Sequence, residues 1–262
     1  MKTFSMPRVV AAVTLAAGAT LAVHAADTSD SVAIMSLVGD QVEVVTYEGQ
    51  TGRLTDANPR KSVPFADAQL DLVALKAAGE ATQAADPQAT VALLSASTPA
   101  LFSNQEKWFE GDHVQLPAEI TAAVEREHAA RLLLVTKYRG EARIRLSKSV
   151  TGSGRLEGMG FYVDPQMPMR RGDTGEWARG YLAPYAYIEA SLIDVASNTV
   201  LHQTRIAEAY AISSANSKED RDPWNALTTP QKVKAMRGLL DHQLREAVPP
   251  LFAQHDQPSR SE

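Results

Sequence analysis

The sequence predicts an α/β (α+β) fold, in which a single domain has a mixed sheet with helices packed against it. Short runs rich in Val, Ile and Leu alternate along the chain with segments whose apolar residues recur at helical spacing. Strand-like pairs joined by turn signals lie near both ends of the chain, at 31–47 and 185–212. The apolar run at 132–135 shows no alternation, which is typical of a strand buried on both faces.

The first half of the chain contains segments with the periodicity of strands and segments with the periodicity of helices. Residues 31–37 and 41–47 are strand-like and are joined by the turn pair Gly39 and Asp40, so they predict a hairpin. The segments that follow are a loop at 48–63, a helix at 64–84, a strand at 90–94, an irregular helical stretch at 97–108 and a helix at 117–130.

The second half of the chain is richer in strands. The predicted elements are strands at 131–138 and 142–146, a long loop at 149–181, a long hairpin of 185–194 with 199–212, a polar loop at 213–225 and a helix from Thr229 to the prolines at 249–250. The loop is predicted because seven glycines, Pro165 and Pro168 interrupt the pattern there. A loop of that length inside a domain is usually functional or partly structured.

The first 25 residues have the pattern of a secretory signal peptide. Lys2 and Arg8 supply positive charge, whereas residues 9–23 carry no charge and are mostly Ala, Val, Leu, Gly and Thr. That run has the length of a signal core and is short for a membrane span. We therefore expect export to the periplasm with cleavage after Ala25 or one residue later. A membrane anchor that stays attached is the alternative.

The composition excludes several classes of protein. The chain has no cysteine, so it has neither a disulfide nor the acylated cysteine of a lipoprotein. Without Lys2 and Arg8, 24 basic side chains stand against 31 acidic ones, a formal net charge of −7, which argues against general nucleic-acid binding. No apolar run after residue 25 is long enough to span a bilayer. We expect a domain at 26–252 and a disordered tail at 253–262.

No motif for catalysis or cofactor binding is recognisable. The glycine-dense segment 151–160 precedes residues that look extended and lacks Gly-Lys-Ser/Thr, so it does not predict a phosphate-binding loop. The histidines show no zinc-ligand spacing, and His128, on the apolar face of a predicted helix, is expected in the core or at its boundary. No serine lies in a nucleophile elbow. We expect no cofactor and no metal.

One candidate binding region is basic. Five cations lie within twelve positions of an acidic protein: Lys137, Arg139, Arg143, Arg145 and Lys148. If 131–138 and 142–148 pair as neighbouring strands, several of these charges share one face and form a site for an anionic ligand, an acidic partner or lipid headgroups. The alternative is a solvated strand face on which cations protect an edge from aggregation.

The second candidate region is the predicted loop at 158–185. It is rich in the aromatic, methionine and arginine side chains that dominate protein–protein hot spots. These are Phe161, Tyr162, Met167, Met169, Arg170, Arg171, Trp177, Tyr181 and Tyr185. They form either an exposed binding surface or a small satellite core, and the sequence leaves both interpretations open.

Two segments carry a family resemblance. Residues 133–138 read Leu-Leu-Val-Thr-Lys-Tyr, and residues 187–201 read as a strand closing on Asp194, a short turn and a Val-Leu restart. With the early strand and helix, this order resembles the periplasmic α/β domains of the TolB amino-terminal and curli-secretion-lipoprotein type. The resemblance implies assembly or adaptor work in the envelope and transfers no functional residues. The missing lipoprotein cysteine is a departure from that type.

These observations together favour an exported periplasmic binding or adaptor domain that is not an enzyme and acts in envelope assembly or maintenance with another envelope protein. The alternative is a periplasmic hydrolase or a small-ligand-binding protein whose site is dispersed along the chain.

Overall fold

The computed structural model of the chain describes residues 31–39, 41–49, 56–170, 174–217 and 222–253. The predicted signal peptide, Arg171 and nearly all of the predicted tail lie outside the described residues. The strands are β1 Ser31–Ser36, β2 Gln41–Thr46, β3 Arg60–Pro64, β4 Thr90–Leu94, β5 Phe109–Glu110, β6 His113–Val114, β7 Arg131–Lys137, β8 Arg139–Glu141, β9 Ile144–Arg145, β10 Val150–Thr151, β11 Arg155–Arg170, β12 Trp177–Asp194, β13 Thr199–Ala209 and β14 Ile212–Ser213. The α-helices are α1 Leu70–Ala85, α2 Ala118–Arg126, α3 Thr229–Ala247 and α4 Pro249–Ala253.

The long strand β12 organises the sheet. Its residues 177–187 pair with β11, and on the same side its residues 188–194 pair with β7. The sheet therefore forks at β12 into one branch of β7, β1 and β4 and another of β11, β2 and β3. The other side of β12 pairs with β13, which confirms the predicted long hairpin.

The sheet is mixed, and its faces are covered differently. The strand β1 runs parallel to β4 and β7, and β2 runs parallel to β11, whereas β12 is antiparallel to its neighbours. The helices α1, α3 and α4 bury one face against Leu133, Ile188 and Phe161. On the opposite face α2 packs over Leu132 and Leu134. These contacts confirm the predicted α/β fold with helices packed on a mixed sheet.

Alternation along β12 divides its side chains between the two faces. Leu182, Ala186 and Ile188 point to the helices, whereas Tyr181 and its neighbours at every second position point away from them. The second set forms what we call the tyrosine cluster. Its buried tyrosines are Tyr162, Tyr181, Tyr185 and Tyr187.

The predicted hairpin of residues 31–37 with 41–47 is wrong. The strand β1 is buried along nearly its whole length and takes the centre of a parallel trio, so β2 has to leave for the other branch. The chain crosses at Gly39, whose φ is +80°. One carboxylate of α1 fixes this crossing, because Asp71 Oδ1 accepts from Ser36 Oγ at 2.6 Å and from the amide of Val38 at 2.9 Å.

The predicted loop at 149–181 is also wrong over most of its length. Residues 155–170 and 177–194 are the two longest strands among the described residues. The glycines permit close approach here and do not break the pairing. A Cβ at Gly160 would lie 2.2 Å from the carbonyl oxygen of Glu43 and 2.4 Å from the ring of Tyr185.

The predicted pairing of 131–138 with 142–148 is wrong as well. The strand β7 pairs with β1 along one edge and with β12 along the other, so no edge is free to pair with the chain that follows. Instead β8 pairs with β11, and β9 pairs with β10.

Several predicted element bounds differ from those of the structure. The first helix begins at Leu70, because 60–64 forms the edge strand β3 and Gln69 has a φ of +46°. The helix predicted at 117–130 ends at Arg126, which leaves His128 exposed with a φ of +52°. The last helix begins at Thr229, which the sequence predicts as its cap; the cap is instead Thr228, whose amide donates to Gln231 Oε1 at 2.8 Å. No helix of the described chain is long and apolar enough to cross a membrane.

Candidate functional site

The basic residues predicted as a patch are dispersed in the structure. Lys137, at the end of β7, donates from Nζ to the carbonyl oxygen of Phe102 at 3.2 Å. Arg139 forms ion pairs with Asp56 at 2.6 Å and Glu157 at 3.2 Å. The hydrogen bond that Arg139 donates to Asp56 raises the pKa of Arg139, so the guanidinium stays charged. Through these contacts Lys137 and Arg139 connect segments that are distant in the sequence.

The remaining cations of the cluster also separate. Arg145 pairs with Glu208 at 2.6 Å, on β13. Arg143 is exposed, and its backbone amide donates to the hydroxyl of Tyr187 at 2.9 Å. Of the two interpretations left open by the sequence, this placement favours charge-paired surface residues over one cationic sheet face.

The aromatic residues of 158–185 fall into two groups. Phe161, Tyr162, Tyr181 and Tyr185 are fully buried, so they belong to the core. Phe161 packs edge-to-face on Trp224 with ring centroids 5.7 Å apart, and Tyr162 stacks on Tyr181 at 6.2 Å. In contrast Trp177, at the start of β12, is 63% exposed. The satellite-core interpretation thus holds for the first group, and the exposed-surface interpretation remains for the distal end of the hairpin.

The distal end of the hairpin forms one wall of an open cleft of about 630 Å³, which we call the hairpin groove. Beyond Asp164 the register of β11 and β12 shifts, and the two strands continue as a ribbon from Pro168–Arg179 to Arg170–Trp177. The opposite wall is the turn at 146–149, which closes with a hydrogen bond from the amide of Leu146 to the carbonyl of Ser149 at 2.8 Å. Residues that line the groove include Lys148, Met167, Met169, Arg170, Trp177 and Ile212.

The groove lining combines apolar residues with the polar residues Ser147, Ser149, Ser213 and Asn216, and it carries two cations. Met167 and Met169 are half buried and pack on the tyrosine cluster, because the register shift after Asp164 brings these odd-numbered positions to the face that Tyr162 occupies. Lys148 and Arg170 are exposed, and Arg170 is held by a hydrogen bond from Nε to the carbonyl of Gly175 at 3.1 Å. No Asp or Glu is among the residues that line the groove. This composition suits a ligand that is both apolar and anionic.

A second, smaller pocket of about 340 Å³ adjoins the groove at Met167. We call it the Asp164 pocket. Its other polar lining groups are the side chains of Tyr47, Thr151, Ser153, Tyr162 and Gln166. Asp164 is 6% exposed, and its Oδ1 accepts from the amides of Gln166 at 2.8 Å and Met167 at 3.0 Å.

Two tyrosine hydroxyls lie close to this carboxylate. The hydroxyl of Tyr162 accepts from the amide of Ser153 at 3.2 Å. The hydroxyl of Tyr181 is buried behind Tyr162 and makes no hydrogen bond of ordinary geometry among the described residues, although the side chain of Thr151 lies close enough to lower its pKa. Burial, the neighbouring Tyr162 and the charge of Asp164 raise the pKa of Tyr181 far above its ordinary value, so this hydroxyl stays protonated.

The structure brings together some of the predicted site residues and adds others. Arg170 and Trp177 line the groove with Lys148, although sequence placed the lysine in a different region. Arg171 lies outside the described residues. Sequence reasoning missed Tyr47, Asp164 and Gln166. The local sequence around Asp164, an Asp-Pro pair inside a run of strand-like residues, is the pattern of a turn and does not indicate a pocket. In the described chain no three His, Asp or Glu side chains come together as metal ligands.

Comparisons with known proteins show only distant likeness. No protein-family model matches the chain, and no curated protein matches its sequence. The solved structure of protein XCC0632 from Xanthomonas campestris, of family DUF330, is 10% identical with a TM-score of 0.37 and covers 87% of each chain. A putative neuraminyllactose-binding hemagglutinin homolog from Helicobacter pylori is 8% identical with a TM-score of 0.38, over 88% of each chain.

A third solved structure is a dodecamer of a PelC variant from Paraburkholderia phytofirmans. It is 12% identical with a TM-score of 0.28, and the alignment covers 86% of this chain and 90% of that one. These likenesses are too distant to assign a family or a function to this chain.

Proposed function

We propose that this chain is an exported binding or adaptor protein of the bacterial envelope that acts without catalysis, and that the hairpin groove holds its partner. The observation that carries the proposal is the composition of the groove, whose lining includes Trp177, Met167 and Met169 together with the cations Lys148 and Arg170. Tryptophan and arginine are the residues most enriched in hot spots, and methionine adapts to varied apolar partners. The groove volume is in the range of pockets that bind ligands.

The chemistry of the groove selects the partner. A segment with apolar side chains flanked by carboxylates would place its apolar groups on Trp177 and the methionines and its charges beside Lys148 and Arg170. The groove lining supplies no carboxylate to repel such a segment. We therefore propose an acidic, amphipathic segment of another envelope protein as the partner.

The envelope location is proposed from the sequence. The signal-peptide pattern of residues 1–25 and the resemblance of the hairpin at 187–201 to periplasmic TolB-type domains support it. Mass spectrometry of the periplasmic fraction tests the location. A mature chain that begins after Ala25 is expected, and a chain that is recovered only from the cytoplasm would contradict it.

The groove is tested by affinity capture from envelope extracts, with the captured proteins identified and then titrated as purified partners. The double variant Trp177→Ala, Arg170→Ala removes the apolar anchor and one cation, and both side chains are exposed, so the fold should persist. Loss of an anchoring tryptophan costs about 2 kcal/mol or more, which weakens binding roughly thirtyfold.

The matched control is Leu72→Ala, because Leu72 is 60% exposed and lies on α1, on the helical side of the sheet. Binding by this variant should equal that of the wild type. If the groove variant and the wild type bind the same partners with the same affinity, the groove is not the binding surface.

A further inference from the structure

The Asp164 pocket contains a buried carboxylate with an unused acceptor. The two amide donors of Gln166 and Met167 both reach Oδ1. No described donor reaches the second oxygen of Asp164, and no Lys or Arg is among the residues that line the pocket. The second oxygen is not fully buried: it opens into the pocket, where it can accept from water or from the donors of a bound cation.

A purely structural role explains only one of the two carboxylate oxygens of Asp164. Oδ1 caps the turn at Gln166 and Met167, where the register of β11 and β12 shifts. An asparagine side chain would serve that role equally well, because its amide oxygen accepts the same two hydrogen bonds. The charge and the second oxygen are left without a structural purpose.

The groups around the carboxylate are neutral oxygen acceptors. Tyr47, Thr151, Ser153 and Gln166, whose side chains carry neutral oxygens, line the same pocket. An alkylammonium group carries one positive charge and three N–H donors, so it needs one carboxylate and two neutral oxygens. The half-buried methionine at the mouth, Met167, gives an apolar contact for the carbon chain next to the nitrogen.

We propose that the Asp164 pocket binds a primary ammonium group of a small aliphatic amine, with Asp164 as the counter-ion. A divalent metal ion fits less well, since Ca²⁺ takes six to eight oxygen ligands and prefers several carboxylates. This pocket has one carboxylate, and its volume of 340 Å³ is room for roughly ten waters, far more than a bare ion fills.

This site goes beyond the proposed function and is separable from it. The hairpin groove combines apolar residues with cations, whereas the Asp164 pocket is polar and anionic, and the two share Met167. Trp177 and Arg170 line only the groove. The double variant Trp177→Ala, Arg170→Ala should therefore bind the amine as the wild type does.

The experiment is a titration of the isotope-labelled chain with n-butylammonium chloride, followed by the NMR signals of the Gln166 and Met167 amides. These amides donate to Asp164, so they report on the carboxylate directly. We expect saturable shifts at both amides. Tetramethylammonium, which has no N–H donor, and 1-butanol, which has no charge, should bind at least tenfold more weakly.

Asp164→Asn is the decisive variant, because it keeps the acceptor of the turn and removes the charge. Its affinity for n-butylammonium should fall at least tenfold, while its amide NMR spectrum should remain that of a folded protein. Tyr47→Phe, which removes one lining hydroxyl, should lower the affinity severalfold and provides the test if Asp164→Asn unfolds. Equal binding by these variants, equal binding of tetramethylammonium, or binding of calcium chloride alone would overturn the proposal.

Discussion

The hydroxyls of Tyr181 and Tyr187 lie in one buried cluster but have opposite surroundings. Tyr187 donates to the carbonyl of Glu141 at 2.8 Å and accepts from the amide of Arg143 at 2.9 Å. The hydroxyl of Tyr181 makes no hydrogen bond of ordinary geometry among the described residues. Because an unsatisfied buried hydroxyl keeps its full desolvation cost, the two groups should contribute to stability with opposite sign.

We expect Tyr181→Phe to raise the free energy of unfolding by about 1 kcal/mol, since it removes a buried hydroxyl that no donor or acceptor satisfies. Tyr187→Phe should lower it by about 1–3 kcal/mol, because it leaves the Glu141 carbonyl and the Arg143 amide unpaired. Urea denaturation of the two variants measures both effects. A loss of stability in Tyr181→Phe would show that its hydroxyl has a partner.

Among the elements, the contact of β11 with β2 depends on one missing side chain. Gly160 brings the backbone of β11 against Glu43 of β2 and the ring of Tyr185 at distances that no Cβ allows. The parallel pairing of these strands therefore requires glycine at this position. Gly238, in α3, has no neighbour within 4 Å of a Cβ position and plays no such role.

Gly160→Ala should lower the free energy of unfolding by about 3 kcal/mol or more, because β2 or Tyr185 has to move away. Gly238→Ala, the matched control, should raise it by about 0.5–1 kcal/mol through helix propensity. Thermal and urea denaturation measure whether each variant is more or less stable than the wild type. Equal stability of Gly160→Ala and the wild type would mean that β2 and β11 are not in contact as described.

The sequence predicts elements better than it predicts their partners. Alternation and capping located the hairpin of β12 with β13 and the start of α3, because both signals are local. The hairpin of β1 with β2 was wrong, since the partners of β1 are parallel strands that begin at Thr90 and Arg131. Turn residues at Gly39 indicate where a chain turns but not which strand it joins.

The sequence predicts only part of the candidate site, again because its signals are local. Residue type singled out Trp177 and Arg170, and both line the groove. Dense glycines at 149–181 predict a loop, whereas Gly158, Gly160 and Gly180 lie within two long strands, where Gly160 and Gly180 allow close packing. Asp164 was missed because a single carboxylate beside a proline looks like a turn residue. Its importance arises from burial, which depends on the tertiary fold.

For the whole molecule, the tyrosine cluster sets how stability depends on pH. Burial raises the pKa of the hydroxyls of Tyr162, Tyr181, Tyr185 and Tyr187 above the ordinary value near 10. Below pH 10 these hydroxyls are protonated in both the folded and the unfolded chain. Above pH 10 the unfolded chain releases its protons first, so the free energy of unfolding should fall as pH rises.

We therefore expect the urea midpoint of unfolding to decline as the pH rises above 10. Tyr185→Phe should reduce the slope of that decline, because it removes one group whose pKa differs between the two states. The difference between variant and wild type separates this effect from the titration of lysines. Parallel pH profiles for the two proteins would contradict the prediction.

The fork of the sheet at β12 has a consequence for biogenesis. A ribosome makes the chain from its amino end, so β7 and β11, with the branches they belong to, emerge before residues 177–194. Until then each branch exposes an unpaired strand edge, and most strand partners are distant in sequence, which makes folding slow. The domain thus cannot close until its last third has been made. If the chain is exported as we propose, late closure would keep it unfolded for passage through a translocation channel.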